Sequence, residues 1–197
     1  MNPTREKPTQ ATVQGFHKIE KGKTRMSKKL PKTLSEDEVK RLLAAPNKNC
    51  PTGLRNRCLL QIMVDAGLRV GEALALAPHD LDLDHGAVRI WRGKGAKDRT
   101  AYLSEHTADL CRLWMKQRPV KAKSFFCTLK GAPLKDAYVR AMVYRMRKRA
   151  GIEKHVHPHM LRHTFATLRL ERGDNNRGFW TTQTKHCICD ASGWCDS

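Results

Sequence analysis

One short stretch of the chain breaks with everything around it. In HGAVRIWRGKGAKDRTAYL, His85 to Leu103, Val88 and Ile90 alternate, Gly93 and Gly95 interrupt, and Thr100 and Tyr102 resume the alternation. A period of two on both sides of a glycine-containing turn predicts two short strands joined as a hairpin, with lysines at its tip. The segments flanking it follow the helical period instead. The expected fold class is therefore α+β, mainly α-helical, around a small antiparallel β-sheet or hairpin.

The helices carry their own punctuation. In LPKTLSEDEVKRLLAAP, Ser35 stands three residues before Glu38, the pattern of a capping box. Val39, Leu42 and Leu43 then share one face, up to a stop near Pro46. Leu59, Leu60, Ile62 and Met63 mark a second helix ending at Gly67, a natural left-handed stop, and a short helix follows from about Arg69. TADLCRLWMKQR and KDAYVRAMVYRMRKRAG read as amphipathic helices, the latter loaded with Arg140, Arg145, Arg147, Lys148 and Arg149 before Gly151. The last clear helix is HPHMLRHTFATLRLERG, with Pro158 suited to a first helical position and Gly173 to a cap. Residues 1–29 hold eight Lys/Arg against two acids without periodicity, and read as a disordered basic arm or linker. Residues 174–197 have no steady period and take no assigned structure. The expected organisation is thus arm, one domain over 30–173, and an aberrant tail.

Charge decides the class of partner. Lys+Arg number 38 against 19 Asp+Glu, a formal net charge of +19, which points to a polyanion: nucleic acid first, an anionic membrane second. No apolar run reaches the roughly 20 residues needed to span a bilayer. No signal peptide opens the chain, so a cytoplasmic location is expected and no membrane partner. Cys50, Cys58, Cys111 and Cys127 are scattered among apolar residues as small core side chains, and structural disulfides are not expected. His186, Cys187, Cys189 and Cys195 cluster, but without paired metal-ligand spacing. No metal is expected.

Three features bear on chemistry. Arg69 at a helix start would present backbone N–H groups and a guanidinium to one anion, or simply pair with Glu72 three residues on. His159 and Arg162 lie three apart on one helix face, beside His163. There a forked donor meets an imidazole that moves protons near neutral pH, or else the two make a helix-surface hydrogen bond. Lys94, flanked by glycines, can reach a phosphodiester and protonate a leaving oxygen, or remain a solvated turn lysine.

The order of AGLRVGEALAL, GKGAKDRTAYL and HPHMLRHTFAT resembles the catalytic domain of tyrosine recombinases, the family of phage integrases, Xer-type resolvases and integron integrases. The resemblance covers Leu30 to about Gly173. It implies a DNA strand transferase working through a 3′-phosphotyrosyl link without metal or nucleotide cofactor. Arg69 and Arg162 would be its two arginines, Lys94 its hairpin lysine, His159 its His-x-x-Arg histidine, and Glu72 the support of the first arginine. Lys97, Arg99, Arg140, Arg145, Arg147, Lys148 and Arg149 would hold duplex DNA. Beyond Leu-Glu-Arg-Gly the pattern calls for further helices, a Leu-Gly-His segment and a tyrosine nucleophile. The three tyrosines here, Tyr102, Tyr138 and Tyr144, all precede the His-x-x-Arg helix.

The expectation is a DNA-binding recombination protein of a mobile element or similar system that grips a phosphodiester and does not cut it unaided. Alternatives are a non-catalytic module modulating an intact recombinase, or self-associating on DNA, and a truncated or frameshifted gene remnant. Without the C-terminal helices, Phe165, Leu168 and Leu170 are expected to be partly uncovered.

Overall fold

The computed structural model describes residues 33–91 and 98–171, all within one unit spanning Pro31–Ser197. Ser35 opens helix α1 (Glu36–Ala44) through the expected box: its hydroxyl accepts from Glu38 N–H at 3.2 Å, and Glu38 Oε2 accepts from Ser35 N–H at 2.8 Å. Helix α2 (Pro51–Asp65) is the axis of the fold, buried on nearly every side from Gly53 to Asp65. A helix surrounded by protein has no solvent face, which explains the apolar residues Cys58–Leu60 and Ile62–Val64 on either side of Gln61 and obliges its polar residues to find partners. Arg55 donates to Cys127 O at 3.0 Å, and Asp65 Oδ2 accepts from Ser104 N–H at 2.7 Å.

Helix α2 ends at Gly67, which adopts φ +59°. A side chain there would meet more than backbone strain, because a Cβ would fall 2.2 Å from the Phe165 ring. Next come helix α3 (Val70–Ala75), a 3-10 turn (Pro78–Asp80) and a sheet of β1 (Leu81–Asp82), β2 (Ala87–Ile90) and β3 (Arg99–Tyr102). The sheet is antiparallel in the order β1-β2-β3, with Val88 opposite both Leu81 and Ala101. The hairpin was legible in sequence; β1, two residues long, is too short to show a period.

Helices α4 (Glu105–Gln117), α5 (Asp136–Arg149) and α6 (Pro158–Glu171) complete the domain. The segment between α4 and α5 carries Phe125 and Phe126, fully buried and edge-on at 4.8 Å between ring centroids. Phe125 O accepts the Trp114 indole N–H at 3.0 Å. Cys58, Cys111 and Cys127 are buried free thiols, as small core residues should be, with Cys58 and Cys111 sulfurs 3.5 Å apart, whereas Cys50, expected with them, caps the start of α2 and is only partly buried.

The α6 surface departs from expectation. Phe165 and Leu168 are buried, at 3% and 5% exposure, and only Leu170 stands open at 53%. Phe165 is covered because it closes over the bare backbone of Gly67, and Thr164 Oγ1 accepts Leu34 N–H at 3.0 Å, drawing the start of α1 against α6. Among the described residues no helix is long and apolar enough to cross a membrane. Gly173, the basic arm and the His/Cys-rich tail lie outside the described residues.

A candidate phosphate-binding groove

The two arginines and the histidine singled out in sequence converge on one groove of about 1150 Å3, although Arg69 and Arg162 are 93 positions apart. Arg69 is the residue that caps α3, with extended backbone at φ −72° and ψ 154°. Pro158 begins α6 with His159 and Arg162 one turn apart on its groove side. Arg162 also donates to Gly67 O, so the α2 stop and the α6 arginine are one device.

Glu72 organises the cations. Its Oε1 takes Arg69 NH1 at 2.7 Å and Arg99 NH1 at 2.9 Å; its Oε2 takes Arg69 backbone N–H at 2.8 Å and Arg99 NH2 at 2.7 Å. Burial alone would raise the Glu72 pKa. The hydrogen bonds from Arg99 and from the backbone and side chain of Arg69 outweigh burial and bring it down to about 2. The carboxylate is thus charged throughout the neutral range and holds two guanidinium groups in fixed directions. Arg69 pairs with Glu72 and also lines the groove. Desolvation, then the nearby charge of Arg69, lowers the Arg162 pKa, with Arg99 adding to this and Glu72 opposing it. Such a crowding of positive charge is relieved by a bound anion.

Arg99 is placed differently from the sequence reading. It was grouped with DNA-backbone cations, but its side chain is only 15% exposed and lies bidentate on Glu72. Strand β3 turns it toward α3, a relation set by the sheet and not by local spacing. Of the five basic residues on α5 only Arg140 lines the groove, ion-paired with Asp136. Arg145 stacks over Tyr138, while Arg147 and Lys148 stand over Tyr144, with Lys148 Nζ at 4.8 Å from the ring centroid. Arg149 is exposed near the end of α5 and does not line the groove. Lys94 and Lys97 lie outside the described residues.

The groove also includes residues that sequence reasoning passed over: Trp91, Tyr144, His155 and His157. Tyr144 follows Asp136 and Arg140 at intervals of four, a helical stripe that spacing alone would have revealed. Its hydroxyl pKa is lowered, chiefly by a hydrogen bond with Lys148. His157 is held below its usual pKa by desolvation and then by the neighbouring His155, His159 and His163, and its Nδ1 accepts Met160 N–H at 3.3 Å. The surface is built of forked donors, imidazoles and one organising carboxylate, which suits a phosphodiester.

Residues 32–177 match the phage integrase family. The chain is 39% identical to tyrosine recombinase XerC of Xanthomonas campestris pv. campestris (strain B100) over 77% of its own length and 47% of that protein. It is 36% identical to tyrosine recombinase XerD of Ralstonia nicotianae (strain ATCC BAA-1114 / GMI1000), covering 76% of this chain and 50% of the relative. The chain therefore spans about half the length of the curated relatives it matches. Among solved structures, XerA recombinase superposes with a TM-score of 0.69 at 30% identity, covering 78% of this chain and 56% of the other. XerH site-specific recombinase bound to its palindromic difH substrate, in a post-cleavage complex, gives 0.62 at 35% identity over 74% and 44%.

Proposed function

The chain belongs to the phage integrase family and has the fold of a tyrosine recombinase catalytic domain, and from that premise we propose that its groove holds one phosphodiester of duplex DNA in site-specific recombination. The observation that carries this reading is the Glu72 clamp. One partly buried carboxylate aims Arg69 into the groove that Arg140 and Arg162 also line, and holds Arg99 as well. In the proposed division of labour Arg69 and Arg162 bind the non-bridging oxygens and stabilise charge on a pentavalent phosphorus. His159 exchanges a proton with the attacking group and Lys94 protonates the departing 5′-oxygen. Arg140 and the other basic residues of α5, with Lys97, would fix the DNA backbone without reading sequence. The domain limits 30–173 and a cytoplasmic setting belong to the same reading.

Binding to a generic duplex should weaken steeply with salt. If the one phosphate held jointly by Arg69 and Arg162 and three flanking phosphates met by Arg140, Arg149 and Lys97 are neutralised, log K should fall against log salt with a slope of about −3.6, at about −0.9 per phosphate. A flat response in a fluorescence-anisotropy titration would remove the phosphate assignment.

We further propose that these 197 residues do not cleave DNA unaided. Tyr138 donates its hydroxyl to Asn56 Oδ1 at 3.0 Å and takes a bond from Arg55, so it is tied into the core. Tyr102 belongs to β3, and Tyr144 is engaged by Lys148 on the groove wall. A nicked suicide duplex should give no covalent protein–DNA adduct with the chain alone. An adduct would overturn the proposal, and its loss in Tyr144→Phe would identify the source. An intact recombinase of the same family, assembled beside this chain on DNA, is the proposed partner that would supply a nucleophile.

A further inference from the structure

Trp91 directly follows strand β2 and is 55% exposed, beside a cluster of cations. Its ring is not loose. The indole Nε1–H donates to Asp80 Oδ1 at 2.6 Å, and Asp80 is itself 4% exposed and anchored, its Oδ2 accepting Ala77 N–H at 2.8 Å. A buried, doubly used carboxylate therefore fixes the direction of an aromatic plane that remains open to solvent. That plane stands on a divide. It lines the groove of Arg69, His159 and Arg162, and also a smaller cavity of about 320 Å3 bounded by Arg89, Asp98, Arg99 and Thr100.

Building on the DNA-binding reading, we propose that Trp91 is a stacking platform for an unpaired base of the nucleotide next to the phosphodiester held by Arg69 and Arg162. The charge pattern selects the occupant. Forked cations on one side of the ring take the backbone, and a flat apolar surface at its margin takes what a backbone carries beside a phosphate. A fully paired duplex turns only base edges and sugars outward and offers an indole face little. A base released from its stack presents a whole π surface, and stacking on it tolerates any base identity. Because Asp80 holds the ring before DNA arrives, ordering the ring costs little at the moment of binding. Trp91 is thus a positioning residue for strands that have left the duplex.

The test compares the full chain with Trp91→Ala and Trp91→Phe, on a labelled duplex and on the same duplex carrying a short gap of unpaired bases. Trp91→Ala should weaken gapped DNA about tenfold and change the paired duplex by less than about twofold, with Trp91→Phe recovering most of the loss. The quenching of intrinsic fluorescence on gapped DNA should be smaller in Trp91→Phe. Equal effects on both DNAs would make the ring a sugar or shape contact and overturn the assignment, as would no effect on either. If the unsubstituted chain binds neither DNA, the DNA-binding reading itself falls and takes this assignment with it. If the unsubstituted chain binds the paired duplex normally and only the gap preference is missing, this assignment alone falls.

Discussion

Replacing Glu72 by Gln is expected to cost about 2 kcal/mol of stability near neutral pH, the carboxylate pKa being drawn from 4.5 to about 2 by partners whose attraction solvent partly screens. Gln keeps the shape and can still accept Arg69 N–H. The loss therefore comes from the charge, which leaves Arg99, 15% exposed, beside Arg69 without its counter-ion. The sign follows from linkage. The folded pKa lies below the unfolded one, so the stabilisation is complete above about pH 4.5 and disappears as pH falls toward about 2, where the native Glu72 is itself protonated. Urea unfolding at several pH values should show the two proteins far apart at pH 7 and converging at the acid end. A gap that stays constant across that window would mean Glu72 acts through packing and not through charge. Duplex DNA binding should also weaken in the variant, because Arg69 loses the partner that aims it.

Gly67→Ala is the second substitution expected to have a large effect. A left-handed backbone costs an L-residue about 1–2 kcal/mol, and overfilling a packed site about 1–3 kcal/mol more. At φ +59°, with a Cβ 2.2 Å from Phe165, both penalties apply, for a total of about 3 kcal/mol. For a chain of this length that corresponds to a fall in Tm of about 6–12 °C. A shift below about 2 °C would show that Phe165 can step aside at little cost. Adding Phe165→Leu should restore part of the loss, a coupling that independent sites would not show. The effect should reach the groove as well. Arg162 donates to Gly67 O, so moving this backbone moves the arginine, and DNA binding should decline even where the variant is fully folded.

The two variants probe the same construction from opposite ends. Glu72 holds the α3 arginine from below, and Gly67 sets the depth at which α6 sits with its own. Neither residue is needed to touch a ligand. Each positions a guanidinium whose neighbours would otherwise repel it, which is how a groove with so much positive charge can be held ready for an anion.

Local physics was written plainly enough to be read directly. The Ser35–Glu38 box, the left-handed stop at Gly67, Pro158 at the start of α6 and the hairpin alternation of Val88 and Ile90 each depend on residues within a few positions of one another. Such signals survive without knowledge of the fold. The Arg69–Glu72 pair and the His159–Arg162 face were legible for the same reason, being i,i+3 relations on helices.

What tertiary structure alone decided is long-range and depends on burial. Arg99 could not be told from a solvated cation until β3 placed it on Glu72, 27 positions away. Trp91 could be a core or an exposed indole, and the fold leaves it 55% exposed with its N–H on the buried Asp80. Phe165 and Leu168 were expected to lie partly bare, yet the missing side chain of Gly67 gives the ring its place. The amino-acid sequence determined the helices, the hairpin, the positive charge and the residue types able to grip a phosphate. Which cations face the groove, which support others and which aromatic stays in water was decided by packing, because the energy of a charge or a ring depends on its neighbours in space and on how much water they leave it.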